Sequence, residues 1–125
     1  MVHPVSRDTL RHLLFALVLA AIAIWLRGTL VMTTEVIEPL RADAFEYYRY
    51  AMNLEQCGAY SRSLASITSG CRTPARGDSV RPPGYPIALI PFVEWPPTAA
   101  TLLRIQWFQV LLSVLIVMLA YFALL

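Results

Sequence analysis

Charge is scarce in this chain. Only 14% of its 125 residues are Asp, Glu, Lys or Arg, while 58% are hydrophobic. An average globular domain carries about 25% charged residues. So little charge beside so much apolar surface argues against an ordinary water-soluble domain and for lipid as the main solvent. Lysine is absent: all ten basic side chains are arginine, a bias that assigns no function by itself. The net charge is only +2. That is too little to build a nucleic-acid surface, so no nucleic-acid partner is expected. Histidine and cysteine occur twice each. His3 and His12 precede the first apolar run and Cys57 and Cys71 follow it, so nothing has zinc-ligand spacing and no metal centre is assigned. Length allows at most one small domain.

What is present is two long apolar runs. Residues 13–32 form the first, interrupted only by Arg27 and Gly28 near its far end. A spanning helix needs about 20 mainly apolar residues, because roughly 30 Å of hydrocarbon is crossed at 1.5 Å per residue. Residues 13–32 meet that requirement, with Arg27 placed to snorkel and Trp25 near the interface. A cleaved signal peptide is the competing reading, from the basic start and Ala21-Ile22-Ala23. Against it, Ile24-Trp25-Leu26 continue the apolar run past that point. Residues 101–125 form the second span, uncharged from Trp107 onward, with Arg104, Gln106 and Gln109 at its near end. No basic anchor follows it, and the expectation is a truncated fragment of a larger protein.

The fold class expected is therefore an all-α membrane protein. Two transmembrane helices are joined by an external loop, residues 33–100, that carries two juxtamembrane helices at about 44–56 and 86–95. Arg7 and Arg11 put the N-terminal residues 1–12 in the cytoplasm, and hence the loop outside.

In the loop, residues 41–54 hold its densest mixture of carboxylates, arginines and tyrosines. Asp43 followed by Glu46 has capping-box spacing, and Gly58 is a normal helix stop. Asp43, Tyr47, Tyr50 and Leu54 share one helix face, and Glu46, Arg49 and Asn53 another. Phe45, Tyr48 and Met52 form an apolar stripe suited to a membrane surface. Three roles are open to Asp43: general base, metal ligand, or plain helix N-cap. Glu46 either completes the box or pairs with Arg49. Residues 60–80 read as an irregular loop. Arg81 opens Arg-Pro-Pro-Gly-Tyr-Pro, where prolines stiffen the backbone and Gly84 permits a tight turn. An arginine on such a turn suits bidentate phosphate binding or a simple lipid anchor. Cys57 and Cys71 fall in the same external loop, where an oxidising compartment favours a disulfide over two free thiols.

Taken in order, the chain has a first apolar run, then Asp-Ala-x-Glu-Tyr-x-x-x-Ala-x-Asn-Leu from Asp43 to Leu54, then Gly58-x-Tyr60-Ser61. Arg81-Pro82-Pro83-Gly84-Tyr85-Pro86 follows, and Arg104-x-x-x-x-Gln109 leads into the second run. This ordered set resembles the N-terminal part of integral-membrane glycosyltransferases of the GT-C superfamily, in particular bacterial relatives of protein O-mannosyltransferases and aminoarabinose lipid A transferases. The resemblance implies a polyprenyl-phosphate-linked sugar donor and transfer outside the cytoplasm to a lipid, glycan or protein. By that resemblance Asp43 is the catalytic base, with Glu46 in support. Arg81, and less directly Arg49, hold the donor phosphate, and Tyr47, Tyr50 and Tyr85 line the pocket. No cofactor is implied beyond an optional divalent metal. The location implied is the bacterial inner membrane. Family members carry many more membrane helices, so the remaining helices of the same enzyme are expected partners. The alternative class is a small two-helix membrane protein whose loop binds or assembles a partner without catalysis.

Overall fold

The computed structural model describes residues 7–34 and 40–124. The expectations that fall on residues 1–6, 35–39 and 125 lie outside the described residues. Among the described residues every regular element is helical. In chain order these are α1 (Arg7–Thr33), α2 (Asp43–Cys57), α3 (Leu64–Thr68), α4 (Gly84–Leu89), a 3-10 turn (Ile90–Phe92) and α5 (Ala99–Ala123).

The chain divides into two units. The first draws on Met1–Thr34 and Gln106–Leu125 and contains α1 and the body of α5. Both helices are long and apolar enough to cross a membrane. Neither is the hidden core helix of a soluble protein. Only 11% of the most apolar window of α1 is buried, and 17% of that of α5. Phe15, Leu17, Trp25, Leu111 and Ile116 all stand exposed. Water-soluble surfaces rarely present so large a continuous apolar area. Within this unit Gly28 meets Trp107, and His12 Nδ1 lies 3.0 Å from the Tyr121 hydroxyl. The residue numbers run in opposite senses, so the two helices are antiparallel. A Cβ on Gly28 would lie 3.1 Å from the Trp107 ring, and glycine lets the indole close onto the backbone.

The second unit, Glu35–Ile105, is built around α2. Tyr48, Tyr50, Ala51, Met52 and Asn53 of α2 are all buried. That arc is wider than one helical stripe because α3, α4 and the 3-10 turn all pack on α2. The helix ends where the sequence says it should. Gly58 takes φ 62°, and its N–H donates to the Leu54 carbonyl at 3.2 Å. The Cys57–Cys71 disulfide ties this end to the chain after α3. Asn53 Nδ2 donates toward the carbonyls of Arg49, Ser61 and Ser63 at 3.1, 2.8 and 3.1 Å, stitching the following segment to the helix. The Tyr48 hydroxyl donates to the Glu94 carbonyl at 2.6 Å and accepts from the Glu94 N–H at 2.9 Å, which pins the far end of the unit. Burial pushes the Tyr48 phenol up from its ordinary range, so it remains an uncharged donor.

Four expectations change at this level. Tyr48 and Met52 are core residues and cannot lie on a membrane. The segment expected as a helix over 86–95 is α4 plus a single 3-10 turn. Pro91 has no N–H to continue the ladder, so the helix tightens and ends at Phe92. The segment 60–80 is not wholly irregular, since Ser63 caps α3 by accepting from the Ser66 N–H at 3.3 Å. Finally, α1 begins at Arg7, six residues before the expected span.

Candidate functional site

The site lies within the second unit and starts from the first turn of α2. Asp43 is the first helical residue, and its side chain makes no cap bond to the helix backbone. The capping-box reading is therefore corrected. Ala42 occupies the cap position at φ 50°, and the Asp43 carboxylate instead accepts from Arg81 Nη2. The physical reason is charge: a guanidinium within reach outbids a neutral backbone N–H. Glu46, one turn further, accepts from Arg81 Nε at 2.8 Å and from Arg62 Nη1 at 3.3 Å. It pairs with neither Arg49 nor the helix start.

Arg62 extends the network. Its Nε lies 3.9 Å from Asp78 Oδ2, and its backbone N–H donates to the same oxygen at 3.2 Å. Asp78 also accepts from the Tyr50 hydroxyl. The chain of contacts thus runs Asp43, Arg81, Glu46, Arg62, Asp78. Three carboxylates face two guanidiniums, which leaves an excess of one negative charge. The Arg81 hydrogen bond, aided by the Arg81 and Arg62 charges, holds Glu46 below the usual carboxylate range against the opposing pull of burial. Reciprocally, the Glu46 hydrogen bond and the nearby Asp43 charge push the Arg81 guanidinium up.

Exposure separates the two carboxylates on Arg81. The Asp43 side chain is 66% exposed and Glu46 only 23%. Glu46 is a fixture of the unit; Asp43 stands open to whatever approaches. An aromatic ring lies beside the guanidinium. Arg81 lies 5.8 Å from the centre of the Tyr47 ring, which packs edge-on against Tyr85 at 5.3 Å. The Tyr60 hydroxyl donates to the Arg81 carbonyl at 2.7 Å and so fixes the backbone beneath the guanidinium. The Arg-Pro-Pro turn is therefore anchored from below and from the side.

Of the candidate residues, Asp43, Glu46, Arg81, Tyr47 and Tyr85 come together here. Tyr50 does not line an opening: it is fully buried, stacked on Tyr60 at 4.3 Å. Arg49 turns away to lie over Phe45 at 4.9 Å, and its Nε is buried without a hydrogen-bond partner. Arg62 and Asp78 were missed as site residues. The available signal was a lone arginine and a lone aspartate in a polar segment, which says nothing about pairing across 16 residues. Among the described residues no three His, Cys, Asp or Glu side chains gather as metal ligands. A second acidic station, Glu94, accepts from Thr98 Oγ1 at 2.6 Å and from Thr101 at the start of α5. Those hydroxyls, Thr101 foremost, hold its carboxyl below the usual range.

Chemically, the arrangement offers an accessible carboxylate next to a fixed cation, on a ledge of tyrosines. A carboxylate so placed can take a proton, and a guanidinium so placed can take a phosphate. Comparison of the chain with family models, with curated proteins and with solved structures gave no match.

Proposed function

We propose that this chain is the N-terminal part of a membrane glycosyltransferase of the GT-C type. In this reading α1 and α5 span a bacterial inner membrane, with the N-terminus cytoplasmic. The second unit is an external loop, and α2 and α4 are its juxtamembrane helices. The enzyme takes a sugar from a polyprenyl-phosphate donor and passes it to a lipid, glycan or protein acceptor. Asp43 removes the proton from the attacking acceptor group, and Arg81 stabilises the lipid phosphate as it leaves. Tyr47 and Tyr85 form the apolar-sided wall beside them. The remaining helices of the enzyme would complete the donor cavity.

The observation that carries this reading is the contact between Asp43 and Arg81. One is an acid at a helix start and the other an arginine on a proline turn; the resemblance gives them opposite halves of one reaction, and they lie 38 residues apart in sequence, yet they meet. The ordered sequence resemblance supplies the reaction type.

The test is transfer from a labelled polyprenyl-phosphate sugar in membranes carrying the full-length protein. Arg81→Ala is expected to raise donor KM roughly tenfold or more, the loss of a charge-assisted hydrogen bond of about 1.5–3 kcal/mol. A stably inserted protein that neither binds nor transfers the donor removes the enzyme reading. The second unit, with its own core and disulfide, would then stand as a binding module of a membrane assembly.

A further inference from the structure

Two carboxylates share one guanidinium in this site, and they do not share it equally. Glu46 grips Arg81 Nε at 2.8 Å and is held in turn by Arg62 at 3.3 Å. Its side chain is mostly covered, and both its oxygens are engaged. Asp43 takes Nη2 from the open side, and Arg81 is the one hydrogen-bonding partner of its carboxylate among the described residues. A guanidinium offers five donors in a planar fork. The edge that a second anion can reach from solvent is therefore the edge that Asp43 now occupies.

We infer that the two carboxylates have opposite tasks: Glu46 is a positioning residue that aims Arg81, and Asp43 is a latch that the phosphate of an incoming lipid donor displaces. The inference rests on the reading of Arg81 as the phosphate-binding cation and adds the order of events. Before the donor binds, the Asp43 carboxylate is held by Arg81 and is not free to meet an acceptor. The donor phosphate is a diester and carries one charge, as a carboxylate does, but its two non-bridging oxygens can take the outer edge of the guanidinium as a pair, where Asp43 uses a single oxygen on Nη2. Like-charge repulsion then turns Asp43 outward with a free carboxylate. The base is released only once the donor is seated. Glu46 stays in place throughout, since releasing it would break two charged contacts in a half-covered position.

The two carboxylates should then have opposite effects on binding. The experiment titrates the full-length protein in detergent with polyprenyl phosphate, with inorganic phosphate, and with polyprenol, which lacks the phosphate. The variants are Asp43→Asn, Glu46→Gln and Arg81→Ala, with thermal unfolding followed alongside. Asp43→Asn is expected to bind polyprenyl phosphate roughly threefold to tenfold tighter than wild type, the scale of removing one exposed ion pair and one repulsion. Glu46→Gln is expected to bind it more weakly, because the guanidinium is no longer aimed, with binding measured well below the variant's own unfolding temperature. Polyprenol is expected to bind all three proteins and wild type alike. An Asp43→Asn protein that binds neither polyprenyl phosphate nor inorganic phosphate tighter than wild type, while Arg81→Ala loses binding, overturns the latch and leaves the phosphate site standing. An Arg81→Ala protein that binds like wild type overturns both. A tightening seen with inorganic phosphate and not with polyprenyl phosphate keeps the latch and removes the lipid donor. A tightening of equal size with polyprenol overturns the latch, since no phosphate is there to compete. Should Glu46→Gln fail to fold, Asp43→Asn decides alone; its side chain is exposed and its replacement leaves the unit intact.

Discussion

Asp43 and Glu46 sit one turn apart on α2 and touch the same arginine, so their difference is set by surroundings alone. Glu46 is held below its ordinary value of 4.5 by Arg81 and Arg62. A depressed carboxyl contributes stability that is present above the unfolded value and lost as pH falls through the folded one. The second unit is thus expected to lose structure progressively below about pH 4.5, and Glu46→Gln should flatten that part of the profile, read by near-UV circular dichroism against pH. An identical acid profile for Glu46→Gln would show that the network does not support the fold. Asp43 and Arg81 were legible as candidates from residue type and context: an acid at a helix start, an arginine on a stiff proline turn. That Arg81 claims Asp43, and that Arg62 and Asp78 complete the network, was not legible. Those pairings depend on where segments 60–80 and 81–86 come to rest, and sequence spacing does not encode that. The burial of Tyr50 was not legible for a similar reason, since Tyr60 and Asp78, which cover it, come from the segment 60–80.

Helix α2 shows what local pattern can and cannot determine. Its extent was readable from the Asp43-to-Glu46 spacing and from Gly58, and the structure differs by a residue at each end, Asp43–Cys57. Its partners were not readable, so the Tyr48 and Met52 stripe was given to lipid when it belongs to the core. Tyr48→Phe keeps the ring and removes both bonds to the Glu94 backbone. It is expected to cost about 1–3 kcal/mol, measured by denaturant unfolding of the full chain, because the Glu94 groups are left without their partner. The disulfide closes 14 residues between the end of α2 and the segment beyond α3. Reduction is expected to cost about 3 kcal/mol in the chain-entropy account, seen as a lower unfolding midpoint in the presence of reductant. The short elements were the hard ones. At five residues α3 is too brief for periodicity to register, and only the Ser63 cap announces it. Around α4, Pro91 lies inside the expected helix 86–95 and acts as its terminator.

At the scale of the molecule, two kinds of surface are joined in one chain. The first unit presents apolar side chains outward along two antiparallel helices, and the second buries its apolar residues around α2 in the manner of a small water-facing domain. Composition made the first legible, because a run of about 20 mainly apolar residues has few other uses. Within it, Gly28 is the position that sets how closely α1 and α5 approach. Gly28→Leu would drive a side chain into the Trp107 ring and is expected to cost about 1–3 kcal/mol of helix–helix packing, read by unfolding in detergent with Trp fluorescence as the probe. No change in that signal would mean the contact is not held. The central claim concerns the second unit: Asp43 moves the proton and Arg81 receives the phosphate. It is tested most directly by kcat and donor KM for sugar transfer by Asp43→Asn in the full-length, membrane-inserted protein. The expected result is a fall in kcat of about 10²- to 10⁴-fold, the usual contribution of a positioned general base, with the donor held at least as tightly as before. A stably inserted Asp43→Asn protein that transfers sugar at the wild-type rate would contradict it.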